Sequence, residues 1–195
     1  VHAALGADPI DDTWLACVPL TGVAGLAILA RGFHTGTEVV VHDRFDTAAV
    51  ARAPQEGATL VSLVPTTLAR LLDAGAPVDR FRHILLGGAP APPGLLARAR
   101  AAGARVSTTY GLTETGGGCV HDGRPLIGVE VATDPATDEL LVRGQVTMRG
   151  YRLDEPATAA AFTVASSHTY ALNPTRLPNV TRYAIAHSDP GVTSC

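Results

Sequence analysis

The residues best equipped for chemistry fall within one dozen: Ser107-Thr108-Thr109-Tyr110-Gly111-Leu112-Thr113-Glu114-Thr115-Gly116-Gly117-Gly118. An apolar, strand-like run ends at Val106, and hydroxyls, one ring, one carboxylate and four glycines follow. That is poor material for a core and good material for a phosphate-binding turn. Glycines let backbone N–H groups turn toward an anion at no steric cost. Threonine hydroxyls can donate to phosphate oxygens. Glu114 can serve as a hard oxygen ligand for the Mg²⁺ that accompanies a nucleotide, and Tyr110 can lie against a flat base. The competing reading is a Gly/Thr-rich surface loop without a ligand, which composition alone favours.

Position has to separate the two readings, so the elements around the stretch matter. Trp14–Val18 reads as a buried strand closed by Pro19, and Val23–Arg31 as a helix ending near Gly32. Glu38–Val41 is a short strand. Asp46 caps a helix that runs to about Gln55, with Gly57 beyond it. Thr59–Val64 is a strand closed by Pro65, and Thr66 or Thr67 opens a helix through Leu72. His83–Leu86 runs into Gly87-Gly88, Pro92-Pro93 opens a helix over Gly94–Ala102, and Arg105–Thr108 is the strand that delivers the opening stretch. Strands apolar on both faces, alternating with helices, predict an α/β fold with a mostly parallel sheet flanked by helices. Ligands of such sheets sit beyond the carboxyl ends of the strands, where Gly87-Gly88 and Tyr110-Gly111 both fall. After Gly118 the rhythm changes: Pro125–Val131, Glu139–Gly144 and Val146–Tyr151 read as a small antiparallel β region, and Glu155–Phe162 as a short helix.

Composition narrows the partners. The 195 residues are 46% hydrophobic, enough for a core, and carry a net charge of −3, which argues against nucleic acid or an anionic membrane. All fifteen basic residues are Arg, so this stretch of chain supplies no lysine for catalysis or phosphate binding. Cys17, Cys119 and Cys195 form no metal pattern, and a reducing cytoplasm is their simplest home. Trp14–Ala30 is seventeen residues without a charge, but Pro19, Gly22 and Gly25 interrupt it, and a strand followed by a helix explains it better than a membrane span. Cys119 reads as a small buried residue, His121 as a turn residue, and His34, His42 and His83 as structural. Asp11-Asp12 reads as a solvated turn, and Arg98, Arg100, Arg149 and Arg152 as surface residues.

Tyr110-Gly111-Leu112-Thr113-Glu114 resembles the Tyr-Gly-x-Thr-Glu motif of the acyl-adenylate-forming superfamily, which includes acyl- and aryl-CoA ligases. Leu86-Gly87-Gly88-Ala89-Pro90 resembles its upstream Gly-Gly-Ala loop. Glu139-Leu140 through Gly144, with Gly150-Tyr151, resembles its later Gly-Glu-Leu…Gly-Tyr motif, Asp138 replacing the first Gly. Gly117–Leu126 and Pro19–Leu26 are similar to the o-succinylbenzoate–CoA ligase family of menaquinone biosynthesis, although Gly22 stands where that family usually has His. The resemblance implies a partial large domain of an adenylate-forming enzyme. Its cofactors would be ATP, Mg²⁺ and coenzyme A, and its partner a small-molecule aryl carboxylate. Thr113 and Glu114 would be catalytic, and Glu114 would hold the metal. Gly87, Gly88, Ala89, Tyr110, Gly111 and Thr113 would bind the nucleotide, with Tyr110 stacked on adenine.

The resemblance covers about Asp11 to Thr163. The family's phosphate loop would precede Val1, and a Thr-Gly-Asp segment would follow shortly after Phe162. Neither stands in this sequence, and no initiator Met is present, so the chain reads as the middle of a ligase. The expected divisions are residues 1–118 for the α/β part, 119–163 for the β-rich part and 164–195 for an irregular tail. The tail brings four Ser and two Asn where residues 1–165 have two and none, a shift that a change of reading frame near Val164 would produce. Two alternatives remain beside an o-succinylbenzoate ligase: a non-catalytic remnant, or a ligase for another aryl or fatty acid.

Overall fold

The computed structural model describes residues 3–134, 139–165, 168–171 and 182–186, with side chains described as far as Phe162. Five strands run parallel: β1 (Thr13–Ala16), β2 (Glu38–Val41), β3 (Leu60–Leu63), β4 (His83–Leu86) and β5 (Val106–Leu112). β6 (Gly117–His121) and β7 (Arg124–Pro125) return antiparallel, giving one sheet in the order β2-β1-β3-β4-β5-β6-β7. The connections carry helices α1 (Val23–Thr35), α2 (Thr47–Arg52), α3 (Pro65–Asp73) and α4 (Pro93–Ala101).

Side chains alternate across a strand, so each parallel strand feeds two cores. Leu15, Val61, Leu63, Ile84 and Leu86 pack on one face with Val50 of α2, Leu68 and Leu71 of α3, and Leu95 and Ala99 of α4. Trp14, Ala16, Leu60 and Leu85 pack on the other with Ile28 of α1 and Leu5. Burial on both faces is why these strands read as continuous apolar runs rather than as alternating ones. The Trp14–Ala30 run divides between β1 and α1, and among the described residues no helix is long and apolar enough to cross a membrane.

Local signals place most boundaries. The Asp46 carboxylate accepts from the Ala49 amide at 2.8 Å and opens α2 as expected. The α1 boundary needs correcting. The helix does not stop at Gly32 but continues to Thr35, where Gly36 closes it in the left-handed conformation. Gly32 is a packing position: a β-carbon there would overlap Val39, so the helix lies close against β2. Asp12 is likewise not a solvated residue. It is 3% exposed, and both its oxygens face the Arg82 guanidinium, at 2.5 and 2.7 Å. Thr59 donates to the same carboxylate at 2.6 Å. The cluster ties the segment before β1 to the starts of β3 and β4. Burial opposes the Asp12 charge, but these hydrogen bonds outweigh it and hold the carboxyl below its ordinary value.

A second sheet follows. β8 (Val129–Thr133) and β9 (Glu139–Gly144) are antiparallel, as are β10 (Phe162–Ala165) and β11 (His168–Ala171), while β12 (Arg182–Ala186) lies parallel to β9. α5 (Glu155–Ala160) precedes β10. The mostly parallel sheet with flanking helices and a following, largely antiparallel region is thus the architecture expected. The division at 118/119 falls inside β6, and the change of sheet comes between β7 and β8. Val146–Tyr151, expected as a strand, is a turn-rich strap. The tail expected to be irregular contains β11 and β12. The tail's residues outside β10, β11 and β12, Cys195 among them, and the Asp138 position lie outside the described residues.

Leu68 is fully buried between α3 and the sheet, whereas Leu153 is 96% exposed. Leu68→Ala is expected to lower unfolding stability by about 2–5 kcal/mol, and Leu153→Ala by less than about 0.5 kcal/mol, in urea titrations followed by circular dichroism.

Candidate functional site

The carboxyl end of β4 turns at Gly87-Gly88 directly beside β5. The Gly87 amide donates to Leu63 at 3.0 Å, which completes the β3 ladder. A β-carbon on Gly87 would lie 2.7 Å from the Thr109 methyl group and 3.2 Å from the Thr109 carbonyl. Gly88 has φ +80°, and a β-carbon there would meet Val64 at 3.0 Å. The turn therefore lies flush on its neighbours, and only backbone fits. Gly88 and Ala89 are exposed beyond it.

The Ser107–Gly118 stretch is not one loop. β5 continues through Tyr110 and Gly111 to Leu112, a single 3-10 turn spans Thr113–Thr115, and β6 begins at Gly117. Thr and Tyr favour the extended chain that composition had assigned to a turn. A bulge falls between Tyr110 and Gly111. There a β-carbon on Gly111 would overlap the Gly117 carbonyl, and one on Gly118 would overlap the Thr109 hydroxyl. Thr115, 5% exposed, locks the tip: its hydroxyl receives the Leu112 amide at 2.8 Å and donates to the Gly117 carbonyl at 2.6 Å. Thr113 and Glu114 are what the tip presents, the first exposed and the second half-buried.

Glu114 is held from a distant part of the chain. Its Oε1 accepts a hydrogen bond from the Tyr151 hydroxyl, and its backbone carbonyl accepts from the Met148 amide at 2.7 Å. The carboxylate, with lesser contributions from burial, pushes the Tyr151 phenol up to about 12. Sequence reasoning singled out Gly150-Tyr151 but gave it no partner, because nothing in a spacing of 37 residues signals a contact. Tyr110 packs its ring against the small core of Cys119, Val129 and Val142. The structure thus joins Gly87 to β5 and Glu114 to Tyr151, and places Tyr110 against the second sheet's core.

Other groups were missed. Arg31, the one ionic residue of α1, stacks its guanidinium 4.7 Å from the Trp14 ring centre, and Nε donates to Ala27 at 2.9 Å. Burial pushes it down to about 10. A single charge in a thirteen-residue apolar helix was the available signal. His121 is not a turn residue but lies in β6, 7% exposed, with Nε2 at 3.1 Å from the Thr109 hydroxyl. Its Nδ1 is buried without a partner among the described residues. Burial, chiefly, pushes this imidazole down to about 4. A cavity of about 380 Å³ beside it is lined by Ser107, Asp122 and Arg124, and by none of the expected site residues. Cys17 and Cys119 are buried, and burial raises both thiols, Cys17 to about 11, which removes them as nucleophiles. Among the described residues no His, Cys, Asp and Glu group of three or more could hold a metal ion by itself.

Residues 1–152 match the family described as AMP-binding enzyme. A 2-succinylbenzoate–CoA ligase of Bacillus pumilus is 34% identical over 174 residues, covering 78% of this chain and 36% of that protein. A probable 2-succinylbenzoate–CoA ligase of Mycobacterium tuberculosis is 38% identical over 149 residues, covering 72% of this chain and 39% of that protein. The solved o-succinylbenzoate CoA synthetase of Bacillus subtilis, in complex with an acyl-adenylate intermediate, superposes with a TM-score of 0.77 and 30% identity over 89% of this chain and 41% of that one. The chain spans about two fifths of the length of these relatives.

The buried imidazole makes stability depend on pH. His121 folds neutral, so its contribution is complete above the ordinary histidine value of about 6.5 and erodes as the pH falls toward 4. Asp12 acts lower, its contribution being lost only as the pH falls through a value below about 3.8. The expected result is a loss of roughly 1–3 kcal/mol between pH 6.5 and 4 that is reduced in His121→Gln, the half-buried His83 contributing the remainder, read from urea midpoints at a series of pH values.

Proposed function

We propose, for a chain that belongs to the AMP-binding enzyme family, that its strand ends form the nucleotide-binding part of an ATP-dependent aryl-acid–CoA ligase of the o-succinylbenzoate class. The observation that carries this reading is a pair of glycine-containing turns, one at the carboxyl end of each of two adjacent parallel strands, the first packed on the second strand. There Gly87 packs on Thr109, and the next turn presents Thr113 and Glu114. Ligands of parallel sheets bind at such ends. Gly87, Gly88, Ala89 and Gly111 would offer backbone to the nucleotide, Gly88 and Ala89 being exposed. Tyr110 lends an edge of its ring to adenine, and Thr113 donates its hydroxyl to a phosphate oxygen.

Glu114 fits a magnesium ion. One oxygen is occupied by the Tyr151 hydroxyl, and the other has no partner among the described residues, which leaves a hard oxygen ligand. When bound, the ion supplies charge neutralisation at the phosphates. In the proposed reaction an acid carboxylate oxygen bonds to the α-phosphorus of ATP while the bond to the β-phosphate bridge breaks and pyrophosphate leaves. The coenzyme A thiol then displaces AMP. Chemistry of this kind depends on positioning and charge stabilisation more than on reactive side chains. The names of the relatives support the choice of acid and of coenzyme A.

The absence of lysine from all 195 residues favours a second reading for this stretch of chain by itself: nucleotide binding without adenylation. Isothermal titration is expected to show Mg·ATP binding, weakened about tenfold in Thr113→Val, the value of one hydrogen bond to a charged group. No binding of any adenine nucleotide would sink the proposal. ATP–pyrophosphate exchange with o-succinylbenzoate is expected to stay at background, and exchange above background would overturn the binding-only reading.

A further inference from the structure

The strap between β9 and α5 grips the tip of the β5–β6 hairpin at two points. Met148 donates its amide to the Glu114 carbonyl, and Tyr151 donates its hydroxyl to the Glu114 carboxylate. Tyr151 is itself anchored. Its amide donates to the Thr158 hydroxyl at 2.8 Å, and that hydroxyl donates to the Asp154 carbonyl at 2.8 Å. The Asp154 carboxylate caps α5 through the Ala157 amide at 2.9 Å. Gly150 has φ +149°, and a β-carbon there would lie 2.7 Å from the Thr158 methyl group, so strap and helix meet without slack. A phenol mounted on such a base reaches Glu114 from one side only. A glutamate at a turn otherwise has three free side-chain torsions to lose on binding a ligand.

We infer that Tyr151 is a positioning residue. Its hydroxyl takes one oxygen of the Glu114 carboxylate so that the other is held outward, ready for a divalent cation carried by a nucleoside triphosphate. The inference rests on the proposed metal role of Glu114 and adds to it the residue that sets the geometry. The strap contributes no ligand of its own. It fixes a torsion in advance, so that less ordering remains to be done when the metal–nucleotide complex arrives. Removing the hydroxyl while keeping the ring leaves the carboxylate in place but free to rotate.

Tyr151→Phe tests this by binding rather than turnover. Affinity for ATP is measured by isothermal titration on the whole chain, once with Mn²⁺ and once with chelator, for wild type, Tyr151→Phe, Glu114→Gln and the double variant. The expected result is about a tenfold loss of Mn·ATP affinity in Tyr151→Phe with metal-free ATP affinity changed less than about twofold. The double variant is expected to bind no worse than Glu114→Gln, because the two residues act as a unit. Circular dichroism melting checks that Tyr151→Phe stays folded. Equal losses with and without Mn²⁺ would mean a structural role only and would overturn the inference, as would wild-type Mn·ATP affinity in Tyr151→Phe. If Mn²⁺ gives the wild-type chain no gain in ATP affinity, the metal reading of Glu114 fails, and the positioning role fails with it. If the gain is present and survives in Tyr151→Phe, only the positioning role fails.

Discussion

Two backbones share space at the carboxyl end of the parallel sheet that no side chain could enter. Gly111 faces the Gly117 carbonyl, Gly118 faces the Thr109 hydroxyl, and Gly87 rests against Thr109 from the neighbouring strand. These contacts let β5 continue past the end of β4, turn within three residues and come back as β6. A β-carbon at any of these positions would push the strands apart and move the hairpin tip. The glycines thus act less by flexibility than by thinness. They bring main chain from two strands close enough to form one continuous surface at the sheet's carboxyl end.

The second dependence runs between the sheets. The parallel sheet is held by apolar layers on both faces, yet the tip of its β5–β6 hairpin is steadied by a polar contact from beyond β9, the hydrogen bond from Tyr151 to Glu114. Apolar packing can place a hairpin but does not orient a carboxylate, because it lacks direction. The hydrogen bond supplies that direction. The capped first turn of α5 passes it on, so a short helix far along the chain governs the geometry of one side chain at the end of β5.

Much of this arrangement was legible in the sequence. Apolar strand runs, the Asp46 cap and the glycine stops marked the parallel layer, because two-sided burial and capping leave local signatures. The Gly87-Gly88 turn was placed at a strand end by the same logic, but Tyr110-Gly111, placed there with it, lies inside β5. Other features were not local. Gly32 looked like a helix stop because its packing partner, Val39, lies across a loop. Asp12 looked solvated because Arg82 and Thr59 approach it only after folding. Tyr110 and Gly111 looked like turn residues because glycine suits a bulge as well as a turn, and composition does not distinguish them.

Trp14 is the only tryptophan, fully buried beneath α1, with the Arg31 guanidinium over its ring and no hydrogen-bond partner for its indole nitrogen among the described residues. The molecule thereby carries one optical reporter at a defined place, the seam between β1 and α1. A dry indole emits toward the blue, and its colour changes when water or a displaced cation alters the field around it. Fluorescence of the unmodified chain therefore reads one layer of the fold rather than an average over many, and it does so without a label.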